Sequence, residues 1–165
     1  MKKIKLQIKN RWTGVVLFEY EKERNTIKDT VIGAVKSGVY LTGAYLTDAK
    51  EIPFIPMACP SHGAFEGWKK VCKGNVDFLV HLLIPSDARR SSATSTKCRC
   101  DKAQVLDITN LKTSESYQEI YNTNHAGLNY RVNEIVVPDS FDEVRWNECS
   151  NGIHFFINKQ EAINY

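Results

Sequence analysis

The closing stretch, Trp146-Asn-Glu-Cys149-Ser-Asn151-Gly152-Ile-His154-Phe-Phe-Ile157-Asn158-Lys-Gln-Glu161-Ala162, constrains the fold more than any other segment. It compresses a turn, an apolar strand and a short capped helix. Asn151-Gly152 is a strong turn signal, because both residues tolerate positive φ. Ile153, Phe155 and Ile157 alternate with His154 and Phe156, which is the strand period. Asn158 is placed to cap a last helix, with Glu161 three residues on as its capping-box partner.

Most of the remaining periodicity is also of the strand kind. Ile4, Leu6 and Ile8 alternate with lysines and Gln7, which predicts a half-buried strand with a cationic outer face. Asn10 to Gly14 read as a turn, and Val15 to Tyr20 as the return strand, with Trp12 packed beside it. One segment breaks the pattern: Ile27, Val31, Ala34 and Val35 fall on one helical face, with Thr26 as cap and Gly38 past the end. Trp68 to Cys72, Val76 to Ile84 and Ala103 to Ile108 read as strands. The second is nearly continuous in apolar residues, so it is predicted to be buried on both faces, with His81 as a satisfied core histidine. Aromatic and β-branched residues recur at Tyr117 to Tyr121 and Asn129 to Pro138. Ser140 to Glu148 read as a short helical turn, and Pro85 to Thr96 as a polar loop. The fold class expected is α+β: mostly antiparallel sheet, one helix after the first hairpin and a short one at the C-terminus.

The chain has 165 residues, which suits one domain over residues 1–165 with two parts, 1–50 and 64–165. A net charge of +3 is too weak to argue for duplex nucleic acid. Five cysteines at irregular spacing do not make a closed disulfide framework, so reduced thiols in a cytoplasm are the simpler reading. The N-terminus lacks an apolar core of the signal-peptide kind, and no run is long enough to span a membrane.

Leu41 and Leu46 are five apart, as are Ala44 and Ala49. This period fits neither helix nor flat strand and resembles one coil of a pentapeptide-repeat ladder, too few repeats to bury a core of its own. Ile52 to Pro60 is a proline-punctuated crossing that suits an edge or loop. Further on, Gly67-Trp68-Lys-Lys, Leu83-Ile-Pro85, Ala88-Arg89-Arg90-Ser91-Ser92, Lys97-Cys-Arg99-Cys-Asp-Lys102, Tyr130-Arg-Val-Asn-Glu-Ile-Val and Cys149-Ser-Asn-Gly152-Ile-His154 occur together. As a set they resemble an uncharacterised domain found after pentapeptide repeats in bacterial, phage and large-virus proteins. The resemblance covers roughly residues 64 to 165. It implies a fold family and no catalytic residues.

The segment Arg89 to Lys102 combines five cations with Ser and Thr hydroxyls. Arginine forks, hydroxyls and loop amides make phosphate cradles, so Arg89, Arg90, Ser91, Ser92, Lys97, Arg99 and Lys102 are candidate ligand contacts. A solvated loop is the alternative. Tyr130, Trp146 and His154 are candidates for stacking on a flat ring or contacting the ligand. Cys59, His62, Cys98 and Cys100 offer a zinc set of awkward spacing, and buried thiols are the simpler reading. Cys149 and His154 flank the Asn-Gly turn at a spacing that suits a nucleophile and its base, but no third orienting residue is evident.

The function expected is non-catalytic binding of a small phosphorylated or nucleotide-derived ligand, without cofactor or metal. The phage association of similar proteins implies a specific version, the sequestration of a host nucleotide immune signal in the host cytoplasm. The alternatives are a nucleotide-processing enzyme with His154 or His125 as acid–base, and a protein-interaction module. No membrane or duplex nucleic acid is expected as partner, and a homo-oligomer is compatible with the sequence.

Overall fold

Alternation in the sequence becomes pairing in space. The computed structural model describes residues 2–46, 55–123 and 127–165. Ala49 of the five-residue period, the start of the crossing at Ile52 and His125 lie outside the described residues. Strand outweighs helix, 41% to 10%, and the sheets are antiparallel, so the α+β expectation holds.

The N-terminal part is a hairpin of β1 (Lys3–Lys9) and β2 (Val16–Glu23), followed by α1 (Ile27–Lys36). Thr26 caps α1 with a full capping box, its side chain accepting from the Asp29 amide while Asp29 accepts from the Thr26 amide. The buried helix face is Thr30, Val31 and Ala34. Ile27 and Val35, expected on that face, are exposed. Thr30 takes the inward place because its hydroxyl donates to the Thr26 carbonyl and to Asn25 Oδ1. Leu41, Ala44 and Leu46 bury themselves against Ile8, Val31 and Ala34. The five-residue coil thus completes a small core together with the hairpin and helix. Trp12 lies over Gly43 of that coil and is 64% exposed.

The larger part begins with β3 (Phe65–Lys73) and β4 (Val76–Ile84), then β5 (Arg90–Ser92), β6 (Cys98–Cys100) and β7 (Ala103–Asn110). The short strands β8 (Glu119–Tyr121), β9 (Asn129–Arg131), β10 (Ile135–Val136) and β11 (Ile153–Phe155) follow, and α2 (Lys159–Asn164) closes it. One sheet runs β10-β7-β4-β3, a second β11-β6-β5, and β8 pairs with β9. As expected, β4 is covered on both faces. Val80, Leu82 and Ile84 enter the main core, while Leu79 packs with Phe156 and Ala162 on the other side. His81 is half-buried. It stacks on Trp68 at 3.8 Å between ring centroids and contacts Glu66 at 2.9 Å.

Three expectations are corrected in this part. The polar stretch after Pro85 is not a free loop: β5 and β6 form a buried hairpin, with Cys98, Arg99 and Cys100 all inside. Ser140 to Glu148 form no helix beyond a single turn closed by the Asn147 amide on the Val144 carbonyl at 3.1 Å, and the Asp142 and Val144 carbonyls also accept from the Arg99 guanidinium. The alternation of the closing strand ends at Phe155. Phe156 exchanges two backbone hydrogen bonds with Trp68, at 2.7 and 2.8 Å, and is buried, leaving Ile157 40% exposed.

That exchange joins β3 to the end of β11 and so links the two larger sheets. Glycine makes the join possible: a Cβ on Gly67 would stand 2.7 Å from the Phe155 ring and 3.2 Å from the Phe156 carbonyl oxygen. Asn151-Gly152 leads into β11 as the turn signal predicts, with Gly152 at φ 137°. The two parts of the molecule meet through a buried ion pair, Arg11 to Glu148 at 2.6 Å. Thr94 reinforces it by donating to the Ala44 carbonyl at 2.9 Å.

Candidate functional site

The five cations of the Arg89–Lys102 segment do not converge on one space. Arg89 is held by two carboxylates, Asp101 at 2.8 Å and Glu143 at 2.6 Å. Arg90 donates to the carbonyls of Ala88, Gly63, Pro85 and Ser86 at 2.5–3.0 Å. Arg99 is 2% exposed and donates to Asp142, Asn151 and Val144 carbonyls at 2.8–3.1 Å. Lys102 pairs with Asp87 at 2.6 Å. Ser91 is buried with no hydroxyl partner among the described residues, and Ser92 accepts from the Ala58 amide at 2.7 Å. Trp146 packs against the N-terminal core under the Arg145 guanidinium. Arg90 and Arg99 thus brace the surrounding backbone, and Arg89 and Lys102 are answered by carboxylates.

Lys97, Tyr130 and His154 do come together. They line a half-open cavity of about 590 Å³, formed by β3, the approach to β6, β9, β11 and the turn before it. That volume suits a nucleotide-sized molecule. Lys97 is buried, donates to the Tyr165 hydroxyl at 2.6 Å and lies over that ring. Its ammonium also reaches Cys149 Sγ at 3.5 Å. Cys149 is therefore partnered by a lysine, while His154 donates from Nε2 to the Ser150 carbonyl at 2.8 Å. The nucleophile–base pairing of Cys149 with His154 is not formed.

A residue the sequence reading passed over completes the group. Lys69 lies on β3 in phase with Gly67 and Val71, both buried, and lines the same cavity. Among the described residues its ammonium has no hydrogen-bond or ion-pair partner. Burial, and then the charge of Lys97, lower its pKa to about 8. Burial and the same Lys97 charge push His154 down to about 3, so its imidazole is neutral at ordinary pH. Burial raises the Tyr130 phenol, whose hydroxyl has no partner among the described residues. Asp77 and Asp139 also line the cavity, but neither forms an ion pair with either lysine. The signal that could have found Lys69 is its phase: a lysine in step with inward-facing residues.

The sulfur groups give a different picture. Cys59 and Cys98 are buried in the core, Cys98 Sγ donating to the Thr96 carbonyl at 3.5 Å, whereas His62 is exposed and bonded to Ser61. Among the described residues no cluster of three or more His, Cys, Asp or Glu side chains is arranged to hold a metal.

Comparison with known proteins adds a family without adding a function. Residues 55–162 match a family of unknown function, DUF5758. The chain is also 29% identical over 140 residues to the uncharacterized protein L223 of Acanthamoeba polyphaga mimivirus, covering 79% of this chain and 89% of that one. No solved structure matches.

Proposed function

The chain belongs to the DUF5758 family, whose function is unknown, and from its cavity we propose that the protein binds a small anionic ligand of the phosphorylated or nucleotide-derived class. The observation that carries the reading is the pair Lys69 and Lys97: of the three cavity lysines none has a carboxylate partner among the described residues, and only Lys70 is taken up by a backbone carbonyl, that of Ile163 at 3.1 Å. Elsewhere Arg11, Arg89 and Lys102 each have a carboxylate within 3 Å. Lys97 is buried and Lys69 half-buried; a cation drawn out of water without a counter-charge is costly, and an anionic ligand supplies the missing charge. Phe156 and Tyr165 give the cavity aromatic walls, 5.1 Å apart between centroids, which favour a ligand carrying a flat ring.

Binding without turnover fits the neutral His154. An imidazole with a pKa near 3 is too weak a base to move protons efficiently at neutral pH. In a viral setting, such as that of the mimivirus relative, the same cavity would sequester a nucleotide signal rather than consume it.

The test is a thermal-shift screen with pyrophosphate and with linear and cyclic nucleotides, followed by mass analysis of ligand released on heating. A ligand present at a hundred times its dissociation constant should stabilise the fold by about 2.7 kcal/mol. Recovery of intact ligand supports binding alone, and a changed ligand points to an enzyme. No shift with any anion would overturn the proposal.

A further inference from the structure

Three lysines line the cavity: Lys70 donates to the Ile163 carbonyl at 3.1 Å, and the other two are not equivalent. Lys97 is fixed: its ammonium is hydrogen-bonded to the Tyr165 hydroxyl, reaches Cys149 Sγ and rests over the Tyr165 ring. Lys69 is unanchored among the described residues. Its strand position places its stem among inward-facing residues before the nitrogen reaches the cavity. Desolvation and the repulsion of Lys97 both favour its neutral amine.

One anchored lysine and a second, unanchored one in the same cavity suit carbonyl chemistry on an anionic compound. The fixed cation holds the anion, and the neutral amine is a nucleophile. Resting on the anion-binding reading of the same cavity, we propose that Lys69 is a carbonyl-reactive amine that forms a reversible imine with small aldehydes bearing a phosphate or similar anionic group, the anion being held by Lys97.

The step balances without any further reactant. The Lys69 nitrogen attacks the carbonyl carbon, a C–N bond forms, and the carbonyl electron pair takes up a proton to give a carbinolamine. Its hydroxyl then leaves as water, carrying away a proton that came from the amine. Amine and aldehyde become imine and water, and hydrolysis reverses the process. Nothing is oxidised or reduced.

Pyridoxal 5′-phosphate and its uncharged counterpart pyridoxal are suitable probes. Each would be added to the whole chain near pH 8 with sodium cyanoborohydride, and the reduced adducts mapped by peptide mass spectrometry. The expected result is one adduct per chain, at Lys69, with the phosphate-bearing probe reacting at least tenfold faster. Pyrophosphate should protect. Lys97→Ala should remove the preference for the phosphate probe while leaving Lys69 the labelled residue. Lys69→Arg, which keeps a cation on β3 but no reactive primary amine, should abolish the adduct.

Labelling spread over surface lysines, or concentrated on Lys97, overturns the proposal, and the wild-type map decides this even if a variant fails to fold. Pyrophosphate binding without a Lys69 adduct would leave the anion site standing and remove the imine. A Lys69 adduct that forms equally fast with both probes and is not protected by pyrophosphate would overturn the proposed role of Lys97. Absence of both binding and adduct would remove the cavity reading as well.

Discussion

The β5–β6 hairpin and the cavity beside it both carry positive charge, and they differ in what answers it. In the hairpin, Arg90 and Arg99 donate to seven backbone carbonyl contacts between them, and Arg89 and Lys102 meet carboxylates. In the cavity, Lys69 has no partner among the described residues, and Lys97 has only a phenol and a thiol. A cation already bonded to protein carbonyls has little left for a ligand. The density of Arg and Lys along a sequence therefore marks a binding site less well than the absence of partners around a few of them.

The largest effect expected from this contrast is on stability. Arg99→Ala leaves the Asp142 carbonyl without its donor, takes one of two donors from the Val144 and Asn151 carbonyls, which keep the Asn147 and Asp142 amides, and empties a buried guanidinium site. Each such loss costs roughly 1–3 kcal/mol, so the variant should lose on the order of 3–5 kcal/mol in a urea titration. If Arg99→Ala unfolds like the wild type, the guanidinium is no brace and the contrast fails.

Next in size is an acid effect centred on His154. Its folded pKa, about 3, lies below the ordinary 6.5. Between these values the unfolded chain takes up a proton that the folded chain refuses. Stability from this group is therefore complete above pH 6.5 and is lost as pH falls toward 3, by up to a few kcal/mol. Carboxylates held below their usual values, Asp29, Asp87, Glu119 and Asp142, add their own losses only at lower pH. The window from pH 6.5 to 5 lies above those losses, and the difference between wild type and a His154 variant reads this imidazole's share there. His154→Gln should flatten the stability curve there, and an unchanged slope would place the histidine in water.

Much of the fold was legible because a two-residue period survives in short windows. Val76 to Ile84 is a strand with the predicted bounds, and the capped helix and the Asn-Gly turn stand where their residues point. The site was legible only in part. Lys97, Tyr130 and His154 share the cavity, but the destination of an arginine is not written near it. The carbonyls that occupy Arg99 lie 43 to 52 residues further along the chain. Lys69 was hidden for the opposite reason. Beside Lys70 it looks like half of a solvated pair, and only the burial of Gly67 and Val71 turns it inward. Phe156 escaped because its inward turn depends on the distant Trp68 backbone.

On binding, the contrast becomes a selectivity between neighbouring cations. Lys97→Ala should weaken pyrophosphate binding roughly ten- to a hundredfold, since charge-assisted contacts contribute about 1.5–3 kcal/mol. The affinity of the wild type should also fall as salt is added. Arg90→Ala should leave affinity within about twofold once its stability loss is allowed for, because its nitrogens face carbonyls. Reversal of this order, measured by calorimetry, would return the site to the hairpin.

The smallest effect is expected at Lys102, and its smallness is informative. Lys102 belongs to the same cationic run as Lys97, yet it does not line the cavity and pairs with Asp87 instead. That pair is open to water, with 29% of the lysine side chain and 72% of the aspartate side chain exposed. Ion pairs of this kind are screened by salt and offset by the ordering of two long side chains, so they add little to a fold. Lys102→Ala should therefore change neither the melting temperature nor the pyrophosphate affinity measurably at physiological salt. A general attraction of anions to the whole cationic run would make Lys102 and Lys97 behave alike, with both variants losing similar affinity at low salt. A site made by unanswered charge in one cavity predicts instead that Lys97→Ala loses binding at every salt concentration and Lys102→Ala at none. Titrating the two variants in parallel across salt separates a diffuse field from a local seat for the anion.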